Sequence, residues 1–186
     1  MGDSCDLENP SDVIALNPVA TVSYHPTLWF YLPIETDKIQ KIEVALLKQF
    51  SSVSEYEIES EDLSGLPGFL SIDLPESENT KLQEGMFYQL LIYCGDSGDQ
   101  GINIPKIQAQ RQEIVSELQT ELDQAQSEID KARIYEQYGM WYDSITIIGK
   151  LHHQNPKNSE YQQEWQRLLQ KVGLGELSDK PIISTF

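Results

Sequence analysis

The spacing of apolar residues changes once along this chain, near Ile107, and that change limits the fold more than any single motif does. Before it, apolar residues alternate or run in short bursts between turn residues; after it, they recur about every 3.6 residues. A period of two lays side chains on the two faces of a strand, whereas 3.6 lays them along one stripe of a helix. The expected class is therefore α+β, with strands in residues 1–111 and helices in residues 112–186.

Thr27–Leu32 (TLWFYL), Lys38–Leu47, Val53–Ile58, Gly68–Leu74 and Phe87–Cys94 are rich in β-branched and aromatic residues. Pro33, the Leu63-Ser-Gly-Leu-Pro-Gly68 run, Pro75 and Gly95-Asp-Ser-Gly98 punctuate them at the spacing of an antiparallel meander or sandwich. In Gly68–Leu74 the row Leu70, Ile72 and Leu74 alternates with Phe69, Ser71 and Asp73, which predicts one buried face. TLWFYL is apolar on both faces, so a second layer must cover it, and the helical tail is the obvious cover. Short strands at Val13–Leu16, Thr21–Ser23 and Ile102–Gln108 bring the count near that of an immunoglobulin-like sandwich.

Beyond the switch, Ile114, Leu118, Leu122, Ala125, Ile129, Ala132 and Tyr135 share one stripe. Ser127-Glu-Ile-Asp130 has the form of a capping box, which favours two helices with a break near Gln126 over one long one. After Gly139, the stripes Trp141, Ile145, Ile148, Leu151 and Tyr161, Trp165, Leu168, Leu169, Val172 flank an Asn155-Pro156 stop, predicting a helix hairpin. One such hairpin resembles a tetratricopeptide unit, and arrays of that kind stack several repeats to bury their faces. A single unit is expected to pack on the sheet.

Charge narrows the partners. The first 105 residues hold 18 of the 30 acidic side chains but only 4 of the 13 basic ones, so most of the net charge of −17 lies there. An anionic surface repels phosphate backbones and anionic lipids, which disfavours nucleic acid and membrane surfaces and leaves a cationic protein surface as the suitable partner. Acidic side chains on strand edges also keep a β domain soluble with no partner at all. No run reaches the roughly 20 apolar residues of a membrane span. The first residues, MGDSCDLENPSD, are polar and acidic and lack an export signal's apolar core; removal of a signal would leave the same picture.

Little in the chain points to catalysis. Glycine-rich phosphate loops, Gly-x-Ser-x-Gly and His-Glu-x-x-His are all missing, so no catalytic, cofactor or metal residues are assigned. His25 precedes Pro26 at a strand entry and suits a turn better than a metal. His152 and His153 are adjacent, hence about 100° apart on a helix, and cannot clamp one ion from one face. They suit the negative end of a helix dipole. Asp96-Ser-Gly-Asp-Gln-Gly101 looks like a calcium loop without its regular acidic positions, and Glu55, Glu57 and Glu59 alternate with Tyr56 and Ile58 as on an exposed strand face.

Four segments together carry a wider resemblance: HPTLWFYLP at His25–Pro33, the Gly65-Leu-Pro-Gly68 turn, YQLLIYC at Tyr88–Cys94, and GMWYDSITIIGKL from Gly139 with the later Trp165 and LLQKVGL. In this order the chain, from about Cys5 to Pro181, resembles the cyanobacterial family known as domain of unknown function 928. Family members typically carry an export signal and have no assigned activity, so the resemblance implies a trimmed, periplasmic or extracellular protein and transfers no catalytic residue. A cytoplasmic location is the alternative. The stretch INIPKIQAQRQ departs from the family's Trp-containing strand.

In an exported protein an even pair of cysteines suggests one disulfide, Cys5 to Cys94; two reduced thiols, with Cys94 a small buried hydrophobe, are the alternative. Two functions from different classes follow as expectations. One is a non-catalytic interaction module whose protein partner meets the acidic sheet face or a hairpin groove near Tyr135, Tyr138, Trp141 and Tyr142. The other is a carboxylate-dependent hydrolase or carbohydrate-active domain with acids around His25 or the loop at 96–101.

Overall fold

The computed structural model describes residues 12–16, 19–35, 39–48, 51–59, 67–73, 76–77, 81–82, 86–94, 101–103 and 109–185. Among the described residues there are, besides four α-helices, ten strands. They are β1 (Ile14–Ala15), β2 (Val19–Thr21), β3 (Thr27–Leu32), β4 (Ile39–Lys48), β5 (Ser51–Glu59), β6 (Gly68–Asp73), β7 (Met86–Cys94), β8 (Gly101–Asn103), β9 (Ala109–Arg111) and β10 (Ile182–Thr185). The helices are α1 (Ser116–Gln124), α2 (Glu128–Gln137), α3 (Trp141–Gln154) and α4 (Ser159–Lys171). The class is α+β, with three open sheets ordered β1-β3-β6-β10, β2-β9 and β5-β4-β7-β8.

Two pairings are parallel, β2 with β9 and β6 with β10. Neither belongs to an antiparallel meander. β10 also lies outside the stretch read as strands: residues after 112 were expected to be wholly helical, yet Ile182 and Ile183 bury themselves at the edge of the first sheet. Four residues after a run of helices give too short a period-two signal to be seen. Of Ile102–Gln108, expected as one strand, Ile102 and Asn103 lie in β8, and residues 104–108 lie outside the described residues.

Alternation along β3 sorts its side chains. Thr27, Trp29 and Tyr31 share one face, and the register sets them opposite Asp73, Ser71 and Phe69 of β6. On this face the ring of Trp165 lies 5.1 Å from Phe69, edge-on, and 5.6 Å from Trp29. The opposite face carries Leu28, Phe30 and Leu32 beside Leu70 and Ile72, in one apolar cluster with Ile42, Val44, Leu46, Tyr88 and Ile92 of the third sheet. Both faces of β6 are thus buried, not one as its alternation suggested: Phe69 and Ser71 are both fully covered. An aromatic at an alternate position was the overlooked sign of a second covering layer.

That layer is the hairpin of α3 and α4. Gly149 lets α3 lie on the sheet, since a Cβ there would sit 2.4 Å from the Trp29 ring. Mid-helix glycine costs about 1 kcal/mol relative to alanine, and contact with a fully buried indole offsets it. The helix ends follow from local chemistry. The Ser127 hydroxyl accepts the Asp130 N–H and opens α2, and Asn158 Oδ1 accepts those of Glu160 and Tyr161 to open α4. Gly139 and Gly173, with φ of 78° and 79°, close α2 and α4; Met140 N then donates to Tyr135 O and Leu174 N to Leu169 O.

Candidate functional site

The first turn of α3 is fastened to the strands by two consecutive side chains. Where β1 gives out beside β3, the Trp29 N–H has no strand partner and donates instead to the Tyr142 hydroxyl at 2.8 Å. Asp143 reaches the end of β2, where its carboxylate accepts from Thr21 Oγ1 and from Val22 N, each at 3.0 Å. One turn on, Thr146 Oγ1 accepts the Trp29 indole N–H at 3.0 Å, and beyond it Lys150 pairs with Asp73 at 2.6 Å. HPTLWFYLP and GMWYD, far apart in sequence, are thus the two halves of one joint.

Beside this joint is a half-open cavity of about 200 Å³ whose walls include Thr21, His25, Thr27, Tyr135, Asp143 and Thr146. Its electrostatics centre on Asp143. Burial pushes that carboxyl up to about 6, against the hydrogen bonds from Val22 and Thr21 that favour its charged form. Tyr135 is shifted upward by burial and by the charges of Asp143 and Glu128. Tyr142 is driven further up, chiefly because it is enclosed. At the mouth, His25 Nε2 is 2.9 Å from Ser77 O, and its backbone N–H donates to the Ser23 hydroxyl.

A second polar cluster joins α2 to α4. Arg167 grips Glu136 with two hydrogen bonds, at 2.7 and 3.0 Å, and donates to Glu164 through Nε at 2.9 Å. Arg133 adds a 2.6 Å bond to Glu164, and Lys171 pairs with Glu136. Burial pulls both glutamates upward, but their cationic donors outweigh it and hold both carboxyls below the ordinary glutamate value.

Of the four aromatics proposed for partner binding, the structure brings Tyr135 and Tyr142 together at the cavity. Trp141 and Tyr142 are buried in the core and form no exposed aromatic patch, while Tyr135 and Tyr138 are half-buried, with the Tyr138 hydroxyl donating to Glu121. Cys5 and the side chain of Cys94 lie outside the described residues, as does most of the loop at 96–101. Glu57 is exposed on β5, ion-paired with Lys41 at 2.7 Å. His152 occupies the last turn of α3, stacked on Trp165, and burial lowers its pKa.

Asp143 is the residue that sequence reasoning passed over. The available sign was the composition of its helix, because Trp141-Tyr-Asp-Ser-Ile is apolar on nearly every side and a helix so composed is covered all round. An acid in its first turn is then partly covered with it. Among the described residues, no three His, Cys, Asp or Glu side chains gather to hold a metal ion, and no helix is long and apolar enough to cross a membrane.

Comparison with known proteins identifies a family for the chain. No curated protein and no solved structure shows a significant match to the chain. The model of one protein family, described as Domain of Unknown Function (DUF928), matches residues 2–182 and so spans both halves of the joint. With nearly the whole length matched, the chain belongs to the DUF928 family.

Proposed function

We propose that this chain is a non-catalytic protein-interaction module of the cell envelope or exterior, built to receive a cationic partner. One observation carries the reading: the cavity offers a single carboxylate, and that carboxylate is already engaged by Thr21 and Val22 in holding α3 to the strands. Hydrolysis of a glycoside requires two carboxyl groups flanking the bond, and among the described residues no second one lines this cavity. The net charge of −17 supports a basic partner through long-range attraction. On this reading the two four-stranded sheets form an immunoglobulin-like sandwich, and α3 and α4 act as a tetratricopeptide-like hairpin that braces it. Export from a cyanobacterial cell fits the family resemblance, with a cytoplasmic site of action as the alternative.

A second reading is favoured by one feature, the partly buried acid of raised pKa beside His25 and Tyr135, which suits a general acid of a carbohydrate-active or other hydrolase. The deciding experiment combines affinity capture from an envelope fraction with turnover assays on glycoside and peptide libraries. The interaction reading expects a reproducible basic partner, lost at high salt, and no turnover. Turnover that follows a group titrating near pH 6 and disappears in Asp143→Asn would replace it with the hydrolase.

A further inference from the structure

Asp143 is a partly buried carboxylate with no cationic partner among the described residues. The groups that donate to it, the Thr21 hydroxyl and the backbone N–H groups of Val22 and of Asp143 itself, are all neutral, and no lysine or arginine among the described residues pairs with it. Other carboxylates of this chain are treated differently: Asp73 receives Lys150, Glu136 receives Arg167 and Lys171, and Glu164 receives Arg133 and Arg167. Glu136 and its cations also line a cavity, of about 310 Å³, but the cavity beside Asp143 presents a carboxylate with no cationic partner among the described residues. Tyr135 lines the same cavity and feels the charge of Asp143.

We propose that this cavity is a socket for one basic side chain, lysine or arginine, of a partner protein, whose charged head completes an ion pair with Asp143 beside Tyr135. The inference rests on the interaction reading above and names the point of contact. A volume of about 200 Å³ accommodates one such side chain and little more, with Pro26 and Ile147 beside its methylene stem and hydroxyls around its head. The Tyr135 ring offers a cation–π surface. A guest cation also relieves the cost of a desolvated charge, so binding and the titration of Asp143 are linked.

The test is a titration of the full, isotope-labelled chain at pH 7.5, followed by NMR. The probes are capped lysine, capped arginine, capped norleucine and butylammonium. Both basic residues should give saturable shifts of the Val22 and Asp143 amides, norleucine none, and butylammonium weaker ones. Basic probes should also move the Asp143 carboxyl titration to lower pH, and their affinity should fall as pH drops through about 6. Tyr135 and Tyr142, which face Asp143 from α2 and α3, stay neutral throughout; His25 at the cavity mouth is followed through its own ring signals. Asp143→Asn should weaken basic probes at least about tenfold.

Norleucine shifts as large as those of lysine, or unchanged binding by Asp143→Asn, would overturn the socket. Tighter binding of butylammonium would assign the cavity to a free small amine instead. Should the variant fail to fold, the wild-type carboxyl titration decides alone, since its indifference to lysine and arginine refutes the pairing. A basic partner captured from the envelope with a silent cavity would remove the socket but leave the interaction reading standing; failure of both would remove both.

Discussion

The joint at α3 and the α2–α4 cluster place carboxylates in similar shelter and treat them in opposite ways. Glu136 and Glu164 keep only 14% and 10% of their side-chain surface, and each is gripped by two cationic side chains. Asp143 is partly buried, yet it is met only by neutral donors, the Thr21 hydroxyl and the backbone N–H groups of Val22 and of Asp143 itself. Burial disfavours charge in both places; cations reverse that effect in one and are missing from the other. The cluster also lines an open cavity, of about 310 Å³, but its carboxylates there are matched by cations, whereas the carboxylate at the joint faces its cavity with no cation among the described residues. That difference separates a structural ion network from a candidate binding site.

The sharpest way to break the comparison is to remove the layer on which both regions depend. Trp165 is fully buried against Trp29 and Phe69, and α4 also carries Glu164 and Arg167. Trp165→Ala should lower stability by about 4 kcal/mol, from lost transfer energy and an unfilled cavity. Denaturant unfolding measures the loss, and a collapse of the near-UV dichroism would show both regions loosening together. A loss below about 1 kcal/mol would mean that α4 is not the second layer of the sheet.

Next in size is the cluster itself. Arg167→Met keeps the apolar stem but leaves Glu136 without its two-pronged partner, so stability should fall by roughly 2 to 3 kcal/mol at pH 7. The cost should shrink on acidification. Glutamates held below their ordinary value contribute stability that is fully present above about 4.5 and is lost as pH falls through their folded values. Equal losses at pH 7 and pH 3 would show that Arg167 acts by packing rather than by charge.

The division of the chain was legible in sequence because it rests on local periodicity: β3 falls on TLWFYL, α2 opens at Ser127, and α3 stops before Pro156. What could not be read was tertiary. β10 follows four helices and pairs with β6, more than a hundred residues earlier, and nothing within Ile182–Thr185 encodes that partner. The site was half legible. Tyr135 and Tyr142 were singled out as surface aromatics, but Tyr142 is a buried hydroxyl that completes the hydrogen bonding of β3. Asp143 drew no notice because its weight comes from Thr21 and Val22, brought to it by the fold alone.

The finest test of the contrast is Asp143→Asn, where the sign of the pH dependence decides. Asp143 has a folded pKa raised from 3.8 to about 6, so between those values the native state binds more protons than the unfolded chain. Stability therefore falls as pH rises through that window, opposite to the glutamates of the cluster. At about 1.36 kcal/mol per pKa unit, the charged carboxylate costs roughly 2 to 3 kcal/mol above pH 6 relative to pH 4. Asparagine can still accept from Val22 N and can donate to Thr21, and it carries no charge to desolvate. The variant should fall about 1 kcal/mol or less below wild type at pH 4, lack the decline between, and so exceed wild type by roughly 1 to 3 kcal/mol at pH 7.5. Parallel wild-type and variant curves from pH 4 to 7.5 would mean that Asp143 already has its counter-charge, and an occupied ion pair has no need of a guest.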